Sequence, residues 1–322
     1  MTAIILAAGK STRMNSDRPK VLHDVCGRPM LHHVLAACRD AGADRLAVVV
    51  GHGREAVIDA MGGAGGIRWI EQVEQKGTGH AVQCCRAALA DATGSLLVVA
   101  GDMPLVRRAT LANLYETREH NGDAAVIATT VLEDPTGYGR IIRNADGGFE
   151  AIVEHRDCTP SQRAVREVNP SYYCFDAAKL FAALDDVTPD NAKGEYYLTD
   201  AVTQLQASGA GVSAIPGVAA EDAMGVNSRV DLASVNRVMQ DRIQMACMRD
   251  GVTIVDPDNT WIEVDAVIGR DTVVMPFTFV GSGARIGCGC RVGPHACVAA
   301  GDTVADGAVV GAASCREAGE LR

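Results

Sequence analysis

The C-terminal part of the chain repeats with a period that few folds accommodate. Ile262, Ile268, Val274, Val280, Ile286, Val292, Val298, Val304 and Val310 follow one another every six residues without a gap. Glycine comes directly after the aliphatic residue at 269, 281, 287, 293 and 311. The residue two positions before it is small in most repeats: Ala266, Thr272, Thr278, Ala284, Cys290, Ala296 and Ala308. An ordinary strand alternates with period two and does not generate such a series. The pattern is that of a left-handed parallel β-helix, with aliphatic residues pointing into a narrow prism and small residues at its corners. Three hexapeptides make one coil, so residues 251–322 are expected to form about three coils.

Upstream the pattern is different. Thr2–Leu6, Arg45–Val50, Leu96–Ala100 and Ala124–Val131 are short, nearly uninterrupted apolar runs. Between them, 29–41, 54–61 and 79–90 carry helical spacing. Such alternation implies an α/β unit whose parallel sheet is covered on both faces. Residues 132–226 are less regular, with strand candidates at Ile141-Ile142, Ala151–Val153 and Tyr172–Phe175. They are expected to form a second lobe closing over a ligand. A single helix is expected over 229–248, with Ser228 as its N-cap. The expected organisation is one domain over 1–226, a linker helix over 227–250, and the β-helix over 251–322.

The first strand leads into Leu6–Lys20, LAAGKSTRMNSDRPK. A small, glycine-containing turn at the carboxyl end of a first strand is where open α/β sheets bind ligands. Gly9 lets backbone approach a phosphate closely, and Arg13 and Lys20 add positive charge. The formal net charge of −10 argues against nucleic acid or an anionic membrane as partner, but not against a small anion met by local cations. No apolar run is long enough to span a bilayer, and no basic, then apolar, leader opens the chain, so a cytoplasmic protein is expected. Eleven cysteines without a C-x-x-C pair read as scattered reduced thiols, and no structural zinc is expected.

Leu6–Lys20 resembles the signature of sugar-1-phosphate nucleotidyltransferases. Lys20-Val21-Leu22-His23, Val50–Gly53, Gln75–His80, Pro135–Ile141, Ile152–His155 and Gly194–Asp200, in this order and spacing, are similar to one branch of it. That branch is the bacterial bifunctional N-acetylglucosamine-1-phosphate uridyltransferase/glucosamine-1-phosphate acetyltransferase family, here with a shortened hexapeptide tail. The resemblance implies a Rossmann-like nucleotidyltransferase fold with a mixed sheet, followed by the β-helix. It implies Mg²⁺-dependent transfer of UMP from UTP to N-acetylglucosamine 1-phosphate, in the synthesis of a cell-envelope precursor.

In that chemistry the attacking phosphate oxygen is already anionic, so catalysis reduces to positioning and charge neutralisation. Asp102, at the end of a buried strand, suits a cation that takes oxygen ligands and keeps several waters. The resemblance makes Asp102 and Asn227 the Mg²⁺ ligands, although Asn227 alone reads equally well as a helix cap. It places Arg13 and Lys20 on the triphosphate. It puts Leu6, Ala7, Ala8, Gly9, Gln72, Gly77 and Thr78 around the uracil and ribose, and counts Ala100 and Gly101 among the substrate-binding residues. It puts Gly139, Glu154, Asn169, Tyr197 and Thr199 around the amino sugar.

Two positions depart from the family. Ser11 stands where a second loop glycine is usual. Pro170-Ser171 replaces the Thr-Gly that usually follows Asn169, which bears on the shape of the N-acetyl pocket. The short tail is expected to serve trimer assembly rather than acetyl transfer, and His295 within it is not expected to act as a base. Two alternatives stay open: a nucleotidyltransferase for another sugar 1-phosphate or for dTTP, and a non-catalytic nucleotide-sugar-binding scaffold.

Overall fold

The computed structural model describes residues 1–10, 12–62 and 65–311. Ser11 and the segment from 312 onward lie outside the described residues. The chain divides into two compact units, Met1–His23 with Met30–Arg229, and Asp24–Pro29 with the chain from Val230.

The first unit is built on a ten-stranded sheet. Its strands are β1 (Thr2–Leu6), β2 (Arg45–Val50), β3 (Ile67–Glu71), β4 (Ser95–Ala100), β5 (Ala125–Val131), β6 (Gly139–Arg143), β7 (Phe149–Val153), β8 (Glu167–Asn169), β9 (Tyr172–Asp176) and β10 (Val212–Pro216). The spatial order is β3-β2-β1-β4-β9-β5-β8-β6-β7, with β10 beside β5. β1 lies parallel between β2 and β4, so that Ile4 is level with Ala47 and Val98. These strands are buried on both faces, which is why their sequences are apolar without alternation.

The faces separate by parity. Ala3 and Ile5 pack under Leu31, Val34 and Leu35 of α1 (Met30–Asp40) and Leu111 and Leu114 of α4 (Arg108–Asn121). Ile4 packs on the other side against Val82 of α3 (Thr78–Cys84), with Leu198, Val202 and Leu205 of α6 (Leu198–Ala207). Helices α2 (Arg54–Met61) and α5 (Ala177–Ala183) complete the layers. Each fully buried Leu or Ile in such layers contributes about 1.5–3 kcal/mol.

The sheet is mixed, as the resemblance implies, and not all parallel as the strand–helix alternation alone suggests, because β9 inserts antiparallel between β4 and β5. Residues 132–226 also do not form a lobe of their own. β8 pairs with β5 on one side and β6 on the other, so the backbone hydrogen bonding runs on without a break. α3 is shorter than the expected 79–90: after Cys84 the chain continues in tight turns, such as Arg86 N to Gln83 O at 3.0 Å.

The second unit is a short left-handed parallel β-helix with helix α7 (Arg229–Arg249), of which all but the first residue belongs here. Three parallel sheets of four, three and three strands form the prism faces. Ile262 is level with Val280 and Val298, Ile268 with Ile286 and Val304, and Val274 with Val292 and Val310. Each step is therefore one coil of three hexapeptides, and these residues fill the prism. Glycine is required at the corners: a Cβ on Gly269 would stand 2.6 Å from the backbone of Gly287 and Cys288.

The first coil begins earlier than the periodicity suggests. Thr253-Ile254 pairs with Val273-Val274, and Ile254 enters the prism core. The backbone of Thr260–Ile262 on this coil is closed by α7. Buried Gln240 accepts from Ile262 N at 3.0 Å and donates to Ile262 O at 2.5 Å, and Gln244 donates to Thr260 O at 2.7 Å. Covering a strand in this way removes a site of edge-to-edge pairing. The hairpin Asp24–Pro29 belongs to this unit, through Val264 N to Cys26 O at 2.9 Å and Arg28 to Asp265 at 2.9 Å. Among the described residues no helix is long and apolar enough to cross a membrane.

Candidate functional site

The carboxyl ends of β1, β3 and β4 open on one cavity of about 610 Å³ in the first unit. Its floor is the loop after β1. Leu6, Ala7, Ala8 and Gly9 line it, with Ala7 N bonded to Val49 O at 2.8 Å. Gly101 N donates to Leu6 O at 2.9 Å, and a Cβ on Gly101 would stand 3.0 Å from that oxygen. Gly101 therefore keeps β1 and β4 close at their ends, so that Ala100 and Asp102 reach the cavity while Gly101 does not line it.

Lys20 follows Pro19, whose extended backbone turns the chain into Lys20–Leu22. The Lys20 ammonium bonds Asp102 Oδ2 and lies 3.3 Å from Asn227 Oδ1. Asn227 also accepts from Arg13 Nη2 at 2.9 Å. Val226 N donates to Asp102 O at 3.0 Å, which brings residue 227 alongside residue 102 across more than a hundred residues of sequence. Arg13 and Asn227 thus stand one contact behind the cavity wall. Oxygens of Asp102 and Asn227 converge on a single cation, Lys20 Nζ. That pair of hard donors could equally hold a Mg²⁺ that keeps waters and phosphate oxygens as its remaining ligands. Among the described residues no group of three or more His, Cys, Asp or Glu is placed to hold a metal.

One end of the cavity is formed by Gln72, Gly77 and Thr78. This end is tied to the segment before α6 by main-chain bonds: Tyr196 N to Lys76 O at 2.7 Å and Gly79 N to Tyr196 O at 2.7 Å. Thr78 Oγ1 accepts from Leu198 N at 3.0 Å. Gly77 has φ +109°, and a Cβ there would stand 2.5 Å from Tyr196 O, so no other residue fits. Two distant sequence motifs, 75–80 and 194–200, are here one structure.

The cavity wall also carries Glu154, Tyr197 and Thr199. Thr199 Oγ1 donates to Glu154 Oε1 at 3.3 Å. Gly139 and Asn169 do not line the cavity but back it: a Cβ on Gly139 would meet Glu154 Oε1 at 3.5 Å and Asn169 Cβ at 3.8 Å. Asn169 donates to Tyr173 Oη at 2.5 Å and accepts from Ser171 N at 3.0 Å. Burial raises the Glu154 carboxyl above its ordinary range, against the bond from Thr199. Burial, with Asp157 beside it, pushes Asp200 up to about 6. Tyr197 is pushed up to about 12, first by burial and then by Asp157 and Glu154.

Several wall residues were not singled out from sequence. Lys10, His52, Gln75, Tyr173 and Lys193 line the cavity, as does Ser171, which the sequence marked only as a departure from the family. His52 and Gln75 sit inside motifs that carried the resemblance, which was the available signal. Lys193, 5.7 Å above the Tyr197 ring, has none in its local sequence. In the second unit His295 lies face to face with Phe277 at 4.8 Å.

The family profile of the MobA-like NTP transferase domain matches residues 3–201. The chain is 46% identical over 290 residues to the bifunctional protein GlmU of Heliobacterium modesticaldum, covering 90% of this chain and 63% of that one. It is 46% identical to GlmU of Geobacter metallireducens over 290 residues, 90% of this chain and 61% of that one. It thus spans about three-fifths of the length of these relatives. A crystal structure of UDP-glucose pyrophosphorylase complexed with UDP-glucose shares the fold, with a TM-score of 0.61 at 16% identity over 75% of this chain and 98% of that one.

Proposed function

Because the chain belongs to the MobA-like NTP transferase family, we propose that it transfers UMP from UTP to N-acetylglucosamine 1-phosphate. The observation that carries this reading is the single cavity whose wall joins Lys20 and Asp102, with Asn227 one contact behind them, to the amide and glycine of Gln72 and Gly77 and to the carboxylate and hydroxyl of Glu154 and Thr199. The likeness to GlmU supports the choice of nucleotide and sugar.

In this reading Gln72 and the backbone of Gly77 and Thr78 hold the uracil, and Ala7 to Gly9 approach the ribose and phosphates. Glu154 and Thr199 accept from and donate to sugar hydroxyls, with Gly139 and Asn169 shaping the wall behind them. A phosphate oxygen of the sugar 1-phosphate forms a new bond to the α-phosphorus. The bond from that phosphorus to the bridging oxygen breaks, and pyrophosphate leaves with the electron pair. No protein nucleophile or proton transfer is required. Lys20 and Arg13 neutralise the charge that builds on the phosphate oxygens, where fixed cations are most effective. Asp102 and Asn227 would hold Mg²⁺, which when bound supplies further neutralisation of the phosphates.

The test is pyrophosphate release by the purified chain with UTP and a panel of sugar 1-phosphates. Turnover with the N-acetylated amino sugar above glucose 1-phosphate is expected. Strong turnover with glucose 1-phosphate alone would instead favour another sugar, a reading to which Ser171, on the cavity wall at the position that departs from the family, lends weight. We further propose a cytoplasmic homotrimer assembled through the β-helix. The level, outward-facing ladder of Trp261, Phe279 and Cys297 supplies an apolar face for it. Light scattering after gel filtration tests that mass.

A further inference from the structure

Gln72 is 3% exposed, yet it lines the cavity. Its backbone N is fixed to Val50 O at 2.8 Å. Its side-chain Nε2 lies 3.0 Å from Gly77 O and 3.0 Å from His80 Nδ1. A carbonyl oxygen only accepts, so the amide group facing Gly77 must be the NH₂ and not the oxygen. The second proton of that NH₂ meets His80. The ring nitrogen Nδ1 is then the bare acceptor, and the neutral imidazole carries its proton on Nε2, 3.9 Å from Cys84 Sγ. Both Gln72 donors are used within the protein. Its Oε1 is the capacity left over, and among the described residues no donor reaches it.

We infer that His80 is a positioning residue for base selection: it holds the Gln72 amide so that only an acceptor faces the incoming base. The inference rests on the nucleotidyl-transfer reading above and adds a determinant of its nucleotide choice. An imide pyrimidine, uracil or thymine, presents N3–H to that acceptor. Cytosine presents a lone pair at N3, and two acceptors then face each other. Rotating the amide to suit cytosine sets Oε1 against both the Gly77 carbonyl and the His80 lone pair. Gly77 alone opposes the rotation at one point, and His80 in the Nε2–H tautomer opposes it at a second. A site whose buried polar group is held in one sense rejects the mismatched analogue more strongly than an apolar pocket does.

The experiment measures kcat/KM for UTP and for CTP, with N-acetylglucosamine 1-phosphate, in the wild-type chain, His80→Ala and His80→Asn. Loss of one fixed hydrogen bond is expected to lower the UTP-to-CTP ratio by about tenfold in His80→Ala. Asn carries an acceptor oxygen at the place of Nδ1 and is expected to keep the ratio within about threefold of wild type. An unchanged ratio in a His80→Ala protein that melts like wild type overturns the inference. So does a ratio that His80→Asn fails to restore. A long-range ¹⁵N–¹H spectrum of the wild-type histidines needs no variant: His80 neutral with bare Nδ1 is expected, and the opposite tautomer overturns the assignment. Wild-type turnover of UTP keeps the two readings apart. Turnover with base choice independent of His80 removes this inference alone, and no turnover of UTP removes the nucleotidyl-transfer reading and this one with it.

Discussion

Lys20 rests its ammonium on Asp102 Oδ2, joining the loop after the first strand to the end of the fourth. The two side chains are 15% and 23% exposed, so the pair is held in a partly dry site where charges interact strongly. Asp102→Ala and Lys20→Ala are each expected to lower kcat by about 10²–10³-fold. Asp102→Ala should in addition lose the response of rate to Mg²⁺. A titration of Mg²⁺ against pyrophosphate release checks both, and an Asp102→Ala enzyme with wild-type metal response would refute the metal assignment.

Ser171 sits at φ +64° on the cavity wall. A side chain in this left-handed region costs about 1 kcal/mol, offset here in part by the bond from Ser171 N to Asn169 Oδ1. Ser171→Gly keeps that bond and removes the clash. It is expected to raise stability by about 0.5–1 kcal/mol. The midpoint of urea unfolding reads this directly, and a lower midpoint counts against the account.

Asp200 has its carboxyl pushed up from 3.8 to about 6, chiefly by burial. The folded chain therefore holds this proton to higher pH than the unfolded chain. Stability is fully present below pH 3.8, falls as pH rises through the window to about 6, and levels off above it. Asp200→Asn should flatten that slope and stand about 1 kcal/mol above wild type at pH 7, after allowance for its partial exposure. Melting temperatures from about pH 3.5 to about pH 7, in both proteins, decide it.

Gln240 serves both backbone groups of Ile262. Gln240→Leu fits the space but leaves a buried donor and a buried acceptor unpaired. The expected loss is about 3 kcal/mol, confined to the second unit. Limited proteolysis should show the coils opening at lower denaturant than the sheet unit, and equal protection of the variant would reject the role.

What the sequence made legible follows from how local each signal is. The prism column from Ile262 to Val310 could be read because every coil demands the same residue every six positions. Ile254 could not, because the first coil pairs it with Val274, out of step with that count. The central strands were readable as doubly buried, but the reversal of β9 was not: Tyr172–Phe175 is apolar in either direction. The site residues Lys20, Asp102 and Asn227 could be named, and their meeting at one ammonium came only from the tertiary structure. Ser171 was visible as a departure, and its left-handed backbone was not. Lys193 and Tyr173 reach the cavity through the path of the chain alone.

Tyr196 N to Lys76 O, Gly79 N to Tyr196 O and Leu198 N to Thr78 Oγ1 tie residues 76–79 to the stretch leading to Thr199, so the residues proposed to hold the base and those proposed to hold the sugar share one stretch of backbone. In the proposed function, a ligand held by 76–79 is therefore expected to change the affinity of the 196–199 side for the other, which titration calorimetry with each ligand alone and with both together measures. Thermodynamic linkage makes the exchange symmetrical: by whatever factor the nucleotide tightens the sugar phosphate, the sugar phosphate tightens the nucleotide.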